Sequence, residues 1–494
     1  MKASFEGSVM RSAAWLFALA PLLSGGVFAQ EGGESQGGGE GEASSSGDEA
    51  KDEGDWFAVV GGDVHTGTGA VLRGATVLAR GGVIREIGHE VDIPADAKLL
   101  DATGLRVYPG LVALNVRGVA NRFGSGDYAD SFDPYSQNLV LALAAGITTV
   151  SEGSVALKLK RREVKGVVMR ERFLSTLNYS TSAPRSKGEL EQKFDAAAAY
   201  LRRYREWEEQ KKSNKDLKEP PARGVDPSIR AILENRTLAR FNSTSRTDLL
   251  GIARLAQKHK FRPVVEGAVE AWTVADELGR AGAYAVVVPR TRRDKSEELV
   301  RAGGSSIENA AILHRSGVQV AIQASSTFVD LGGIAGRDIL HLPIEAGFAV
   351  RGGLPEQAAL DGITIVPARI LGVDHRVGSL EVGKDCDLIL LDGDLLHYQS
   401  LVQYTVVDGK LVYEKDKELY YAHIRPRPVA QAADAPQARR DKGEDAASAS
   451  DSDGDGEGKP EDKPEEKPEE KPEEKPEEKP GDGASDGDSD GRAD

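Results

Sequence analysis

Two stretches of short β-strand pattern enclose a long stretch in which strand and helix patterns alternate. Strand-type residues run over 56–60, 76–79, 83–87 and Lys98–Asp101, punctuated by Gly61-Gly62, Gly81-Gly82 and Pro94. The same texture returns over 387–391, 401–407 and Lys410–Glu414, where Asp408-Gly409 between two apolar runs signals a tight hairpin. The economical arrangement is a composite β-sandwich domain, built from residues 56–108 and 376–425 on both flanks of a central α/β domain.

The central domain, residues 109–375, offers eight candidate strands: 111–116, 148–151, 155–159, 173–177, Leu238–Asn242, Pro263–Glu266, 285–288 and 318–324. Helical patterns follow most of them, as over 139–145, 248–259, 271–281 and 306–315. Eight strand–helix units in this length fit an α/β (β/α)8 TIM barrel, although periodicity alone also permits a doubly wound sheet. Residues 190–235 stand apart as a charged helical insertion. Phe194, Ala198, Leu201 and Tyr204 recur there at helical spacing, and a proline-rich loop follows.

The ends of the chain are of another kind. Residues 1–29 have Arg11 ahead of an apolar run and small residues at Val27-Phe28-Ala29, the pattern of a secretory signal peptide. Export to the periplasm or the outside is therefore expected. No segment has about 18 consecutive apolar residues, so no membrane span is expected. Residues 30–55 form an acidic linker and 426–494 a tail with four Lys-Pro-Glu-Glu repeats from Lys463 to Lys475; neither has the apolar side chains to make a core. The net charge of −16 belongs to these flanks: residues 1–29 carry +1, 30–55 carry −8 and 431–494 carry −13, which leaves +4 for residues 56–430. So mild a balance gives no case for nucleic-acid binding. One cysteine, Cys386, excludes a disulfide framework and a cysteine metal site.

Three segments resemble one family. They are Leu99-Leu-Asp-Ala-Thr-Gly104 leading into Val107-Tyr-Pro-Gly-Leu-Val112; Ala144-Ala-Gly-Ile-Thr-Thr-Val150; and Ala368-Arg-Ile-Leu-Gly-Val373 with Val377-Gly-Ser-Leu-Glu-Val-Gly-Lys-Asp385, Asp387-Leu-Ile-Leu-Leu-Asp-Gly393 and Val406-Val-Asp-Gly-Lys410. In order and spacing they resemble the amidohydrolase superfamily, nearest its imidazolonepropionase-like members. The resemblance implies a metal-dependent hydrolase barrel with a composite β-sandwich.

It also implies metal ligands at the strand ends, where zinc lowers the pKa of a bound water. The family opens with Pro-Gly-Leu-Ile-Asp-x-His-x-His. Here the same register reads Pro109-Gly-Leu-Val-Ala-Leu-Asn115-Val-Arg117, with both histidines replaced. The resemblance places the fifth-strand histidine at Asn242, the sixth-strand histidine at Glu266 and the catalytic aspartate at Ser325. Glu266 alone of these binds metal well, and Arg117 brings a permanent positive charge. No metal is expected on that basis; the alternative is zinc held by Glu266 and His341, the histidine in a loop after the last barrel strand. His-x-His and His-Glu-x-x-His are absent from the chain. Ser325-Ser326-Thr327 lacks the nucleophile-elbow pattern.

Two functions follow. One is a metal-site-degenerate pseudoenzyme, serving as a binding or assembly subunit beside an intact amidohydrolase paralogue or by self-association. Its mouth would hold a small anionic ligand through Asn115, Arg117, Arg246, Glu266 and Arg290. The other is an active hydrolase of carbon–nitrogen bonds with an atypical site.

Overall fold

The computed structural model describes residues 54–119, 128–292, 303–329 and 338–418. The expected signal peptide, the expected linker up to residue 53, and everything from residue 419, including the expected tail, lie outside the described residues.

Strand β1 (Trp56–His65) opens the sandwich, followed by β2 (Val71–Arg80), β3 (Val83–Gly88), β4 (Lys98–Asp101) and β5 (Arg106–Pro109). The first half of β1 pairs with β4 and the second half with β5, both parallel. The strand changes partner across Gly61-Gly62, where its register with β2 also slips. Glycine is needed there: Gly61 has φ +77°, and a Cβ on Gly62 would lie 2.7 Å from a Val107 methyl and 2.9 Å from the Ala102 Cβ.

The chain next builds the barrel with β6 (Leu111–Ala113), β7 (Ile147–Glu152), β8 (Val155–Lys158), β9 (Val168–Glu171), β10 (Leu174–Thr176), β11 (Leu238–Asn242), β12 (Pro263–Glu266), β13 (Tyr284–Val287) and β14 (Gln319–Ile322). It then returns to the sandwich with β15 (Leu388–Leu391), β16 (Val402–Val407) and β17 (Lys410–Glu414). These last strands extend the first sheet in the order β17-β16-β15-β5-β1-β2-β3, so both flanks do share one β-domain. Asp408 and Gly409, both at positive φ, make the expected two-residue turn. Val59, Val77, Ile84, Leu388, Leu390 and Val406 are buried in its core.

Strands β10 to β14 are parallel neighbours, and β6 is parallel to β7. Gly362 and Ile363 join the two sheets: their carbonyls accept from the N–H groups of Ile322 and Val112. The result is a TIM barrel with two departures from the expected eight strands: β9 is an additional strand, antiparallel to β8, and one expected strand runs against its neighbour. Segment 155–159 folds back on β7 as an antiparallel hairpin, because only Gly153 and Ser154 separate the two strands. Gly153 takes φ +61°, as a two-residue hairpin turn allows; a parallel crossover needs a dozen or more residues. Inward-facing Val112, Val264, Val286 and Ala321 fill the barrel, and helix α1 (Ile365–Leu371) packs on them.

The charged insertion is a 28-residue helix, Pro184–Lys211, longer than expected. Its buried face carries Phe194, Ala197, Leu201 and Trp207, with Phe194 stacked on Phe261 at 5.0 Å. The expected Ala198 and Tyr204 sit at the margin of that face.

An ion network ties the barrel to the sandwich. The fully buried Lys158 on β8 places Nζ 2.6 Å from Asp385, 3.0 Å from Asp387 and 2.5 Å from Asp408. Arg376 also engages Asp385 at 2.7 Å, and Lys160 engages Asp408 at 2.7 Å. Three cations and three carboxylates thus meet where β8, the 385–387 run and the β16–β17 turn converge. Burial pushes the Asp387 carboxyl up to about 6 despite Lys158 beside it. Asp408 is held well below the ordinary carboxylate range, because Lys158 and Lys160 outweigh its burial.

Candidate functional site

The expected site positions lie at or just beyond the C-terminal ends of the barrel strands, where TIM barrels carry their chemistry. Asn115 follows β6 in a left-handed conformation, φ +55°, one of the few that asparagine tolerates. Its N–H donates to the Ser151 hydroxyl at 2.9 Å. Its side-chain amide donates to Glu266 Oε1 at 2.9 Å, and its Oδ1 accepts from Arg240 Nη1 at 3.2 Å. Arg240 Nε lies 3.7 Å from the other Glu266 oxygen.

Three strands therefore meet in one network. Strand alternation explains it: Arg240 and Asn242 share a face of β11, and the β11–β12 register sets Asn242 opposite Glu266. Alternate residues Ala239 and Phe241 point the other way and are buried among the helices. Arg240 was not among the expected site residues. Its signal was available in the period of two that separates it from Asn242, itself an exposed residue.

Ser325 and Arg290 belong to a second cluster. Arg290 donates through Nε and Nη2 to Glu345 Oε1 at 2.9 and 2.7 Å, and the Ser325 hydroxyl donates to the same oxygen at 3.1 Å. Glu345, on helix α2 (Leu342–Arg351), is fully buried, and its Oε2 has no hydrogen-bond partner among the described residues. Arg290 also lies over the Phe348 ring at 4.8 Å. Glu345 went unforeseen; its only signal is a lone carboxylate in an apolar helix, which burial obliges to find a partner.

The other candidates are dispersed. Arg117 is exposed, with its N–H donating to the Thr327 carbonyl at 3.0 Å and its guanidinium 5.9 Å from the Phe328 ring. Arg246 opens the helix Arg246–His259, and its N–H donates to the buried Glu270 at 2.9 Å. His341 is paired through Nδ1 with the buried Asp338. Of the five arginine, asparagine and glutamate candidates, Asn115 and Glu266 come together, joined by Arg240, and Arg290 is taken by Glu345, while Arg117 and Arg246 donate only through their backbone N–H groups among the described residues.

The donor set does not suit a zinc ion, which takes about four nitrogen, sulfur or oxygen ligands. Asn115, Arg117, Asn242 and Ser325 offer neutral or cationic groups, and the Glu266 carboxylate is already met by an amide and a guanidinium. Among the described residues no group of three or more His, Cys, Asp or Glu could hold a metal ion. No helix of the described residues is long and apolar enough to cross a membrane.

Fold and site together define a TIM barrel with a composite β-sandwich, its strand ends bound by internal guanidinium–carboxylate pairs. Residues 248–412 match the family model described as Amidohydrolase family. The crystal structure of an amidohydrolase from Thermotoga maritima MSB8 shares the fold, with a TM-score of 0.53 at 24% identity over 72% of this chain and 100% of that one. A probable imidazolonepropionase of Bos taurus is 39% identical over 85 residues, 16% of this chain and 19% of its own length. Amidohydrolase tasK of Hapsidospora irregularis is 32% identical over 85 residues, 17% of this chain and 9% of its own. Residues 248–412 are thus similar to the amidohydrolase family, the solved structure shares the fold, and the chain spans less than a fifth of the length of these curated relatives.

Proposed function

We propose that this protein is a metal-site-degenerate member of the superfamily, a binding or assembly subunit that acts beside an intact paralogue or by self-association. The observation that carries the proposal is the Asn115–Glu266–Arg240 network. Where the family's chemistry calls for a carboxylate and imidazoles around a cation, this chain has a carboxylate whose charge a guanidinium already balances. A ligand bound at the strand ends would be small and anionic, drawn by arginines. The signal-like residues 1–29 support export, to the periplasm or beyond.

An active hydrolase of carbon–nitrogen bonds is the second reading, favoured by Glu266, a carboxylate able to bind metal that stands at a strand end in place of the expected histidine. The deciding experiment is elemental analysis of the full mature chain after dialysis against trace zinc, with thermal melts in the presence and absence of chelator. A bound metal stabilises the native state by mass action, so a metalloprotein melts lower with chelator. The expected result is a substoichiometric metal content and an unmoved melt. Near-stoichiometric metal, or turnover of a dipeptide and imide panel that Glu266→Ala abolishes, would hand the lead to the hydrolase.

A further inference from the structure

A cleft apart from the Asn115 and Glu345 clusters lies between the sandwich and the barrel helices. The loop between β15 and β16 covers it on one side, and the start of α2 and residues Ala144 and Ala145 close it on the other. Its volume is about 180 Å³. Ile344, Leu395, Leu401 and Val402 give it apolar walls. Three basic residues are among those lining the same cleft: Lys415, His341 and His397.

Lys415 is the telling one. Its side chain is 1% exposed, yet its ion-pair partner is the neighbouring Asp416, 3.3 Å away and 65% exposed. A carboxylate so open to water is screened and offsets a buried ammonium poorly. The nearby acids Glu414 and Asp394 are taken by Lys417 and Arg106, each at 2.6 Å. His341 is held through Nδ1 by Asp338, which leaves Nε2 as its free ring nitrogen. His397 stacks with the exposed Tyr398 at the rim, their ring centres 5.1 Å apart.

We propose that this cleft is a binding site for a small aromatic monocarboxylate, its carboxylate on Lys415 and the histidines and its ring among the leucines. Size supports one ring: an apolar cavity of about 150 Å³ accommodates benzene. Charge supports the acid over a neutral analogue, because among the described residues the buried ammonium has only the exposed Asp416 as counter-charge.

The test is calorimetric titration of the full chain with benzoate and, separately, with benzyl alcohol, backed by thermal melts. Benzoate should bind and raise the melting temperature, and benzyl alcohol should bind at least tenfold more weakly. Lys415→Met should weaken benzoate at least tenfold. Leu401→Trp, which fills the cleft and leaves every charge in place, should do the same and covers the case in which Lys415→Met does not fold. Binding at the strand ends instead would be indifferent to Leu401→Trp, which separates the two sites. Absence of benzoate binding, equal binding of benzyl alcohol, or indifference to Leu401→Trp would each overturn the proposal.

Discussion

Replacing Lys158 by methionine tests the ion network that joins barrel and sandwich. The substitution preserves much of the side chain's volume and removes one of three cations facing Asp385, Asp387 and Asp408. Asp385 and Asp387 are almost wholly buried, so water cannot replace the lost ammonium. Breaking a buried ion pair from one side costs about 3–5 kcal/mol. For roughly 340 ordered residues the unfolding entropy is about 0.7 kcal/mol per degree, so the melting temperature should fall by about 4–7 °C. The loss should depend on pH. Asp387 already holds its proton up to about 6, and without Lys158 it holds it higher still. At pH 5 a protonated Asp387 removes one of the stranded charges, whereas at pH 8 it is under the full strain. Differential scanning calorimetry should therefore show a larger drop at pH 8 than at pH 5, with Asp387→Asn recovering part of it at pH 8. A drop below about 1 kcal/mol at both values, or one of equal size at both, would refute the account of this network as a buried cluster whose carboxylates depend on Lys158 for their counter-charge.

In the unmodified protein Asp387 has a folded-state pKa raised from the unfolded value of 3.8 to about 6. Its contribution to stability is present below 3.8 and is lost as the pH rises through about 6, so Asp387→Asn should flatten the fall in melting temperature over that window. Glu345→Leu removes the buried acceptor of both Arg290 and Ser325 and should cost about 2–4 kcal/mol in chemical denaturation, with little change if the pair is not structural. Gly62→Ala pushes a Cβ to within 2.7 Å of Val107 and should destabilise the sandwich by about 1–3 kcal/mol, read from the same curves.

The sequence made the larger architecture legible because its cues are local. The Asp408-Gly409 pair dictates a hairpin wherever it stands between apolar runs, and the alternation of Leu238–Asn242 marks a strand with two faces. The segment 155–159 misled for a related reason: it is strand-like, and composition does not say whether a strand runs with or against its neighbour. The two-residue spacer at Gly153-Ser154 does say so, since it leaves no room for a crossover. The site was less legible. Asn115 and Glu266 stand out by departing from a motif, yet what binds them is Arg240, and nothing in a linear sequence pairs residue 240 with residue 115. Glu345 meets Arg290 across 55 positions by way of the barrel's curvature. Partners fixed by tertiary geometry leave only the weaker trace that a buried charge needs one.

These pairings also sort the three arginines expected to meet an anionic ligand. Arg290 holds a buried carboxylate through two of its nitrogens, so its charge is spent inside the fold. Arg117 and Arg246 form no ion pair among the described residues, and Arg117 is open to solvent beside Phe328. An anion should therefore depend on Arg117 and Arg246 and be indifferent to Arg290 except through stability. With inorganic phosphate as probe and binding followed by calorimetry, Arg117→Ala and Arg246→Ala should each weaken the interaction several-fold while the melting temperature without phosphate moves little. Arg290→Ala should lower that temperature, because it strands Glu345 without its counter-charge, and should leave the affinity of the folded fraction unaltered. The reverse pattern, affinity lost in Arg290→Ala and kept in the other two, would mean that the Glu345 pair opens to receive the ligand, and that the charges at the strand ends are exchanged rather than spent.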